Sequence, residues 1–244
     1  MARLQWDKTG ERLYETGVDR GVLFPYDSDK KTYGQGVQWN GLTAVNESPS
    51  GAEANPVYAD NIKYLNLLSA EEFGYTIEAY TYPEEFAKCD GSYVKNGVFV
   101  GQQARTPFGF SYRTLIGNDT EGNDHGYQIH LVWNSLAAPS EKSRSTVNDT
   151  PEPTTMSWTA STTPTAFKSD GDYKDLKPTA HMYIDSTKTD KGKLKQIEDM
   201  IYGSKNSEPK MPTPDEVLSI LVGGSAGGDK PSGDTNPSGG TTDQ

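Results

Sequence analysis

Histidine and cysteine are scarce in this chain, at three and one among 244 residues. One thiol cannot close an internal disulfide, and no spaced Cys/His set for zinc is present. Cys89 therefore reads as a packed thiol. Long apolar runs are missing as well. No 18 consecutive apolar residues could span a bilayer, and the opening MARLQWDKTGERLYETG lacks the apolar run of a secretory signal. The expectation is a chain made in the cytosol with no membrane segment. Positive charge is also short, with 23 Lys and Arg against 34 Asp and Glu, for a formal net charge of −11. Such a protein repels polyanions, which argues against ordinary nucleic-acid binding. A GxSxG elbow, a phosphate loop, an HExxH helix and a GxGxxG turn are all absent. An enzyme is not expected, nor a cofactor or a bound metal.

What is present is hydrophobic alternation with a period of two. In PFGFSYRTLIG, residues Phe108, Phe110, Tyr112, Thr114 and Ile116 share one face. In GYQIHLVWN, Tyr127, Ile129, Leu131 and Trp133 do, leaving Gln128, His130 and Val132 in a polar-facing row. Shorter strands are predicted within 21–26, 35–45, 74–82, 154–162 and 179–185, so the fold class is mainly β (α+β). Helices are predicted at 190–203, with Asp190 as N-cap, and at PEEFAKCDG, 83–91, where Glu84 and Glu85 suit the positive end of the helix dipole. A further turn at 213–221 closes the folded part. Residues 1–222 read as one domain. From Gly223 to Gln244 the chain is Gly, Ser, Pro, Asp and Thr without apolar periodicity, and reads as a flexible tail.

Chemistry is most concentrated in GNDTEGNDHGYQIHLVW, 117–133, which holds Asp119, Glu121, Asp124, His125 and His130. The two histidines lie at an odd offset and fall on opposite faces of a strand, so they do not converge on one ion. The spacing of acids does not match a calcium hand. Gly117, Asn118, Gly122, Asn123, Asp124 and Gly126 are turn formers, and a hairpin turn accounts for the segment. His181, alternating with Met182 and Ile184, reads as an ordinary strand residue.

Four long segments in order resemble the major tail protein, or tail tube protein, of long non-contractile bacteriophage tails. They are LQWDKTGERLYETGVDRGVLFP from Leu4, NPVYADNIKYLNLLSAEEFGYTIEAYTYPEEFAKCDG from Asn55, GQQARTPFGFSYRTLIGND from Gly101 and HGYQIHLVWNSLAAPSEKSRSTVNDTPEP from His125. The likeness runs from about Leu4 to about Leu221. It implies a β-sandwich or partial barrel of tail-tube type with one flanking α-helix. It further implies hexameric rings of identical copies, stacked into a tube through which double-stranded phage DNA passes without specific binding. Other tail proteins would meet the tube ends, and the assembled location would be the virion tail. A tube or terminator component of a related contractile particle is the alternative within assembly proteins. A carbohydrate-binding adhesion module, using the 14 Tyr and 4 Trp, is the alternative outside them.

Two sets of site residues follow. Residues 47 to 90 carry nine acids against Lys63 and Lys88. Glu71, Glu72, Glu78, Glu84 and Glu85 from that stretch are candidate lumen-lining residues, where negative charge would keep DNA phosphates from adhering. The turn-rich segment NESPSGAEANP, 46–56, reads as a loop between strands, and Asn46, Glu47, Ser48, Ser50, Glu53 and Asn55 are candidate contacts between rings. No catalytic residue is implied.

Overall fold

The computed structural model describes residues 3–144, 146, 149, 152–168 and 172–223. Strands dominate. The chain opens with β1 (Tyr14–Asp27), β2 (Thr32–Tyr33), β3 (Val37–Trp39) and β4 (Leu42–Glu47). A ribbon follows, made of β5 (Ser50–Gly51), β6 (Ala54–Ala59), β7 (Ile62–Leu68) and β8 (Glu71–Glu72), and it leads into β9 (Gly74–Ala79). The single turn α1 (Phe86–Cys89) and the hairpin β10 (Tyr93–Lys95) and β11 (Val98–Val100) come next. The two long strands β12 (Phe108–Asn118) and β13 (Gly122–Ala137) precede β14 (Met156–Thr162), β15 (His181–Asp185), α2 (Lys191–Tyr202) and α3 (Pro214–Leu221).

Antiparallel pairing runs β2–β1–β12–β13–β14–β9–β4, with β3 added on β1 and β15 on β13. The length of β13 makes this order possible. Its middle, Gln128 to Val132, pairs with β15, while its end, Ser135 to Ala137, pairs with β14. One half-sheet (β3, β1, β12, β13, β15) is thereby joined to a second (β14, β9, β4). Their facing side chains form one core: Leu23, Trp39, Phe108, Phe110, Tyr112 and Val132 from the first, and Tyr75, Ile77, Ala79, Trp158 and Ala160 from the second. Phe86 and Cys89 of α1 belong to the same core. The sandwich is partly closed as a barrel. At Gly21 of β1, an added Cβ would stand 2.6 Å from Leu42 Cδ1 of β4.

The first half-sheet is covered on its other face too. Val22, Phe24, Ile129, Leu131, Trp133 and Ile184 pack there against Leu194, Ile197 and Ile201 of α2 and Val217 of α3. Strict alternation sends Leu23 to one core and its neighbours Val22 and Phe24 to the other. The two aromatic rows read from the sequence thus belong to different cores. A consequence corrects one expectation: the row of His130 and Val132 is not a polar-facing one, since His130 is 5% exposed and Val132 fully buried.

Two helices flank the sheet where the resemblance implies one. α2 begins as predicted, with the Asp190 carboxylate accepting the Gly192 and Lys193 amides at 3.0 Å, and it ends at Gly203 with φ 81°. Segment 213–221 is a genuine helix because Thr213 and Glu216 form a reciprocal capping box and Pro214 opens the first turn. The helix predicted at 83–91 shrinks to the one turn of α1. The expected flexible tail, apart from Gly223, falls outside the described residues.

Candidate functional site

β4 and β9 continue past the sandwich as a two-stranded arm. Ser50 pairs with Glu72 and Gly51 with Glu71; β6 and β7 then pair from Ala54 and Leu68 to Ala59 and Ile62. The Ser48 amide donates to the Gly74 carbonyl at 2.7 Å and the Ser69 amide to Glu53 at 3.3 Å, which keeps the ladder going between the strands. Asp60 and Asn61 turn the tip with φ 50° and 62°, the left-handed pair that a two-residue hairpin turn requires. Gly51 (φ 85°) has no room for a side chain, because a Cβ would sit 2.1 Å from the Ala70 carbonyl oxygen.

Segment 46–56 is therefore not the loop its composition suggests. Asn46 and Glu47 end β4, Ser50 lies in β5 and Asn55 in β6, with Ser48 and Glu53 held in the ladder between them. The sequence signal for the arm is the pair Asp60–Asn61 set between two strand-like runs, a hairpin mark that the Gly, Ser and Pro before it obscure.

The arm is apolar and uncovered. Tyr58 (67% exposed), Ile62 (62%), Tyr64 (66%) and Leu68 (71%) lie open, as do Val57, Leu65 and Leu67. A lone two-stranded ribbon is marginal in water, because it has no third layer on which to bury its side chains. Contiguous exposed apolar surface of this kind marks an interaction site. The outer edges of β6 and β7 also carry backbone groups free to pair with another chain.

The five acids do not converge. Glu71 and Glu72 pair with β5 at the root of the arm, and Glu84 and Glu85 occupy the turn before α1, near Pro25, Lys88 and Tyr93. Glu78 alone lies on the broad outer face of the second half-sheet. That face is small and polar, with Thr76 beside Thr159 (Oγ1 to Oγ1, 3.2 Å) and Asn46 Nδ2 donating to Glu78 Oε1 at 3.1 Å. Ser157 and Ser161 extend it along β14.

The hairpin expected at 117–133 is present, with 119–121 as its turn between β12 and β13. The Asn118 carbonyl Oδ1 accepts the amides of Thr120 (3.1 Å) and Glu121 (2.6 Å), closing the β12–β13 hairpin. Among the described residues, His125 makes its side-chain hydrogen bonds with Glu121 and Asn118, and not with His130. The loop is held by the chain's own first residues: the Gly10 amide donates to Asp119 Oδ1 at 2.9 Å.

His130 does have polar company, and it comes from elsewhere in the chain. Its Nδ1 lies 3.2 Å from His181 Nε2 on β15 and 3.4 Å from Glu47 Oε1 at the end of β4; His181 Nε2 lies 3.8 Å from the same oxygen. Tyr112 donates its hydroxyl to that oxygen at 2.6 Å, and Thr114 Oγ1 is 3.0 Å from His130 Nε2. The rings are stacked in a row, Phe73 on His181 and Tyr112 on His130, each pair with centroids 4.4 Å apart. Burial pushes the His181 imidazole down to about 4. The His130 hydrogen bond, opposed by partial burial and aided by Tyr112, holds the Glu47 carboxyl at about 2. Linear spacing gives no metal-ligating set, yet the fold brings three candidate ligands together: the ligand atoms of Glu47, His130 and His181 lie within 4.8 Å of one another. Strand pairing of β13 with β15, and arrival of β4 across the sandwich, are long-range facts that no local motif carries.

Comparison with protein-family models and with curated proteins gives no match. Among solved structures, the chain is similar to a component of an extracellular contractile injection system, the PVC sheath-tube complex in its extended state. Identity is 12% with a TM-score of 0.29, over 68% of this chain and 88% of that one. Among the described residues, no helix is long and apolar enough to cross a membrane.

Proposed function

We propose that this chain is a structural subunit of a phage tail tube, assembling as hexameric rings that stack around a channel for double-stranded DNA. The observation that carries the reading is the arm formed by β5 to β8. It exposes Tyr58, Ile62, Tyr64, Leu67 and Leu68 beyond a sandwich that is otherwise well packed, so a second copy is the natural cover for them. The resemblance of the four long segments to tail tube proteins supplies the identity of that second copy. Open strand edges and a head-to-tail contact produce rings where the rotation closes, and filaments where it does not.

The same reading gives the second half-sheet a role. Its outer face, with Thr76, Glu78, Ser157, Thr159 and Ser161, has small polar side chains and one carboxylate. A wall of that chemistry solvates passing DNA without gripping it, because it offers no cation to a phosphate. Glu78 stays a lining residue in this scheme. Glu71 and Glu72 go with the arm, and Glu84 and Glu85 with the α1 turn. The chain acts by assembly, with no catalytic step.

Electron microscopy of the purified protein at rising concentration tests this. Long regular tubes with six-fold end views are expected. Isolated rings that never stack would point to a terminator, and monomers at every concentration would overturn the proposal.

A further inference from the structure

We propose that Glu47, His130 and His181 form a binding site for one divalent transition cation of the zinc class. The geometry comes first. The three ligand atoms stand at the corners of a triangle with sides of 3.2, 3.4 and 3.8 Å. The centre of that triangle is about 2.0 Å from each corner, and an ion lifted slightly out of its plane meets all three at about 2.0 to 2.2 Å, the range of zinc–nitrogen and zinc–oxygen bonds. Edges of this length are also those of a tetrahedron around such an ion.

The surroundings fit the same assignment. Thr114 Oγ1 lies 3.0 Å from His130 Nε2, so a proton held on Nε2 leaves the Nδ1 lone pair for a cation. Tyr112 takes one lone pair of Glu47 Oε1 at 2.6 Å, orienting the carboxylate while another lone pair stays available. Such outer partners fix ligand orientation and tautomer at metal sites. Two imidazoles and one carboxylate suit zinc, cobalt or nickel, whereas calcium and magnesium require a shell of oxygens. Entry is open on one side, since the Glu47 side chain is 36% exposed while that of His130 is 7%. A water completes the fourth position.

The ion would act as a clamp. Glu47 closes β4 at the root of the arm, and the two histidines belong to the opposite half-sheet, so one ion ties the arm's base to the body of the sandwich. The inference stands apart from the tail-tube reading, since it concerns the single chain.

The test uses the full-length protein stripped with EDTA and dialysed, then titrated with zinc chloride and, in parallel, cobalt chloride. About one zinc per chain is expected, together with the visible absorption of four-coordinate cobalt. A hundredfold excess over the dissociation constant should raise the unfolding midpoint by about 5 °C or more, reversibly with EDTA. His181→Gln and Glu47→Gln should each weaken binding by about tenfold or more. His125→Gln, at the other histidine, should change nothing. Glu47→Gln keeps a carbonyl oxygen for Tyr112 and serves if His181→Gln disturbs folding. Absence of binding by the wild-type chain, or binding that survives Glu47→Gln, overturns the site.

Discussion

Cys89 shows what its surroundings do to a single residue. It is fully buried beside Phe86 and the inter-sheet core, and burial pushes its thiol up to about 12. Thiolate is the reactive form, so Cys89 should resist a thiol reagent at pH 8 in the folded protein and react at the usual rate in denaturant. Rapid native labelling would show that the α1 turn opens. Tyr75 and Ser135 offer a sharper case. Both are fully buried, and the Tyr75 hydroxyl donates to Ser135 Oγ at 2.8 Å across the sandwich. Tyr75→Phe leaves the serine oxygen without that donor and should cost about 1–3 kcal/mol in a denaturant titration. The double variant with Ser135→Ala should recover part of the loss, the sign of a direct coupling. Residue by residue, alternation correctly pairs Ile129 with Leu131 and Trp133. It misjudges His130, because a polar residue between two apolar rows looks solvent-facing until a second layer is known to lie over it. The partners of His130 are supplied by β4, β12 and β15, and no local pattern in β13 names them.

Among the elements, the helices and the arm contrast. α3 is written locally, in Thr213, Pro214 and Glu216, and the capping box is legible as soon as those three are read together. Thr213→Ala removes the hydroxyl that accepts the Glu216 amide at 3.3 Å, and should lower stability by about 1 kcal/mol in chemical denaturation. The arm is harder to see, since its first strand runs through Ser, Gly, Ala and Pro, residues that usually signal a loop. Its energetics are unusual as well: the strands pair along the arm, with one bulge between Val57 and Tyr58, but the side chains on it are uncovered. Replacing residues 54–68 by Asn-Gly, between the hydrogen-bonded Glu53 and Ser69, should leave the sandwich intact. Circular dichroism and the unfolding midpoint should change little, because none of the replaced side chains enters either core. Polymer growth, followed by light scattering, should be lost. Tubes forming at the wild-type rate would remove the arm from the assembly contact.

For the whole molecule, charge and apolar contact work against each other. Each chain carries a formal net charge of −11, so copies repel at long range, and the arm's Tyr, Ile and Leu side chains attract only on contact. Repulsion between exposed charges fades as the Debye length shortens from about 30 Å at 0.01 M salt to about 3 Å at 1 M. Burial of apolar surface is not screened in this way. Added sodium chloride should therefore lower the concentration at which tubes appear, and dilution into low salt should slow their growth. The sign separates two kinds of interface. If Lys63 on the arm met carboxylates of a neighbouring copy as the main contact, salt would dissolve the polymer instead. Substituting Leu65→Asp, which adds charge and removes an apolar contact at the middle of the arm, should raise the critical concentration at every ionic strength. A critical concentration that rises with salt in the wild type would assign the contact to ion pairs and take the apolar arm out of the explanation.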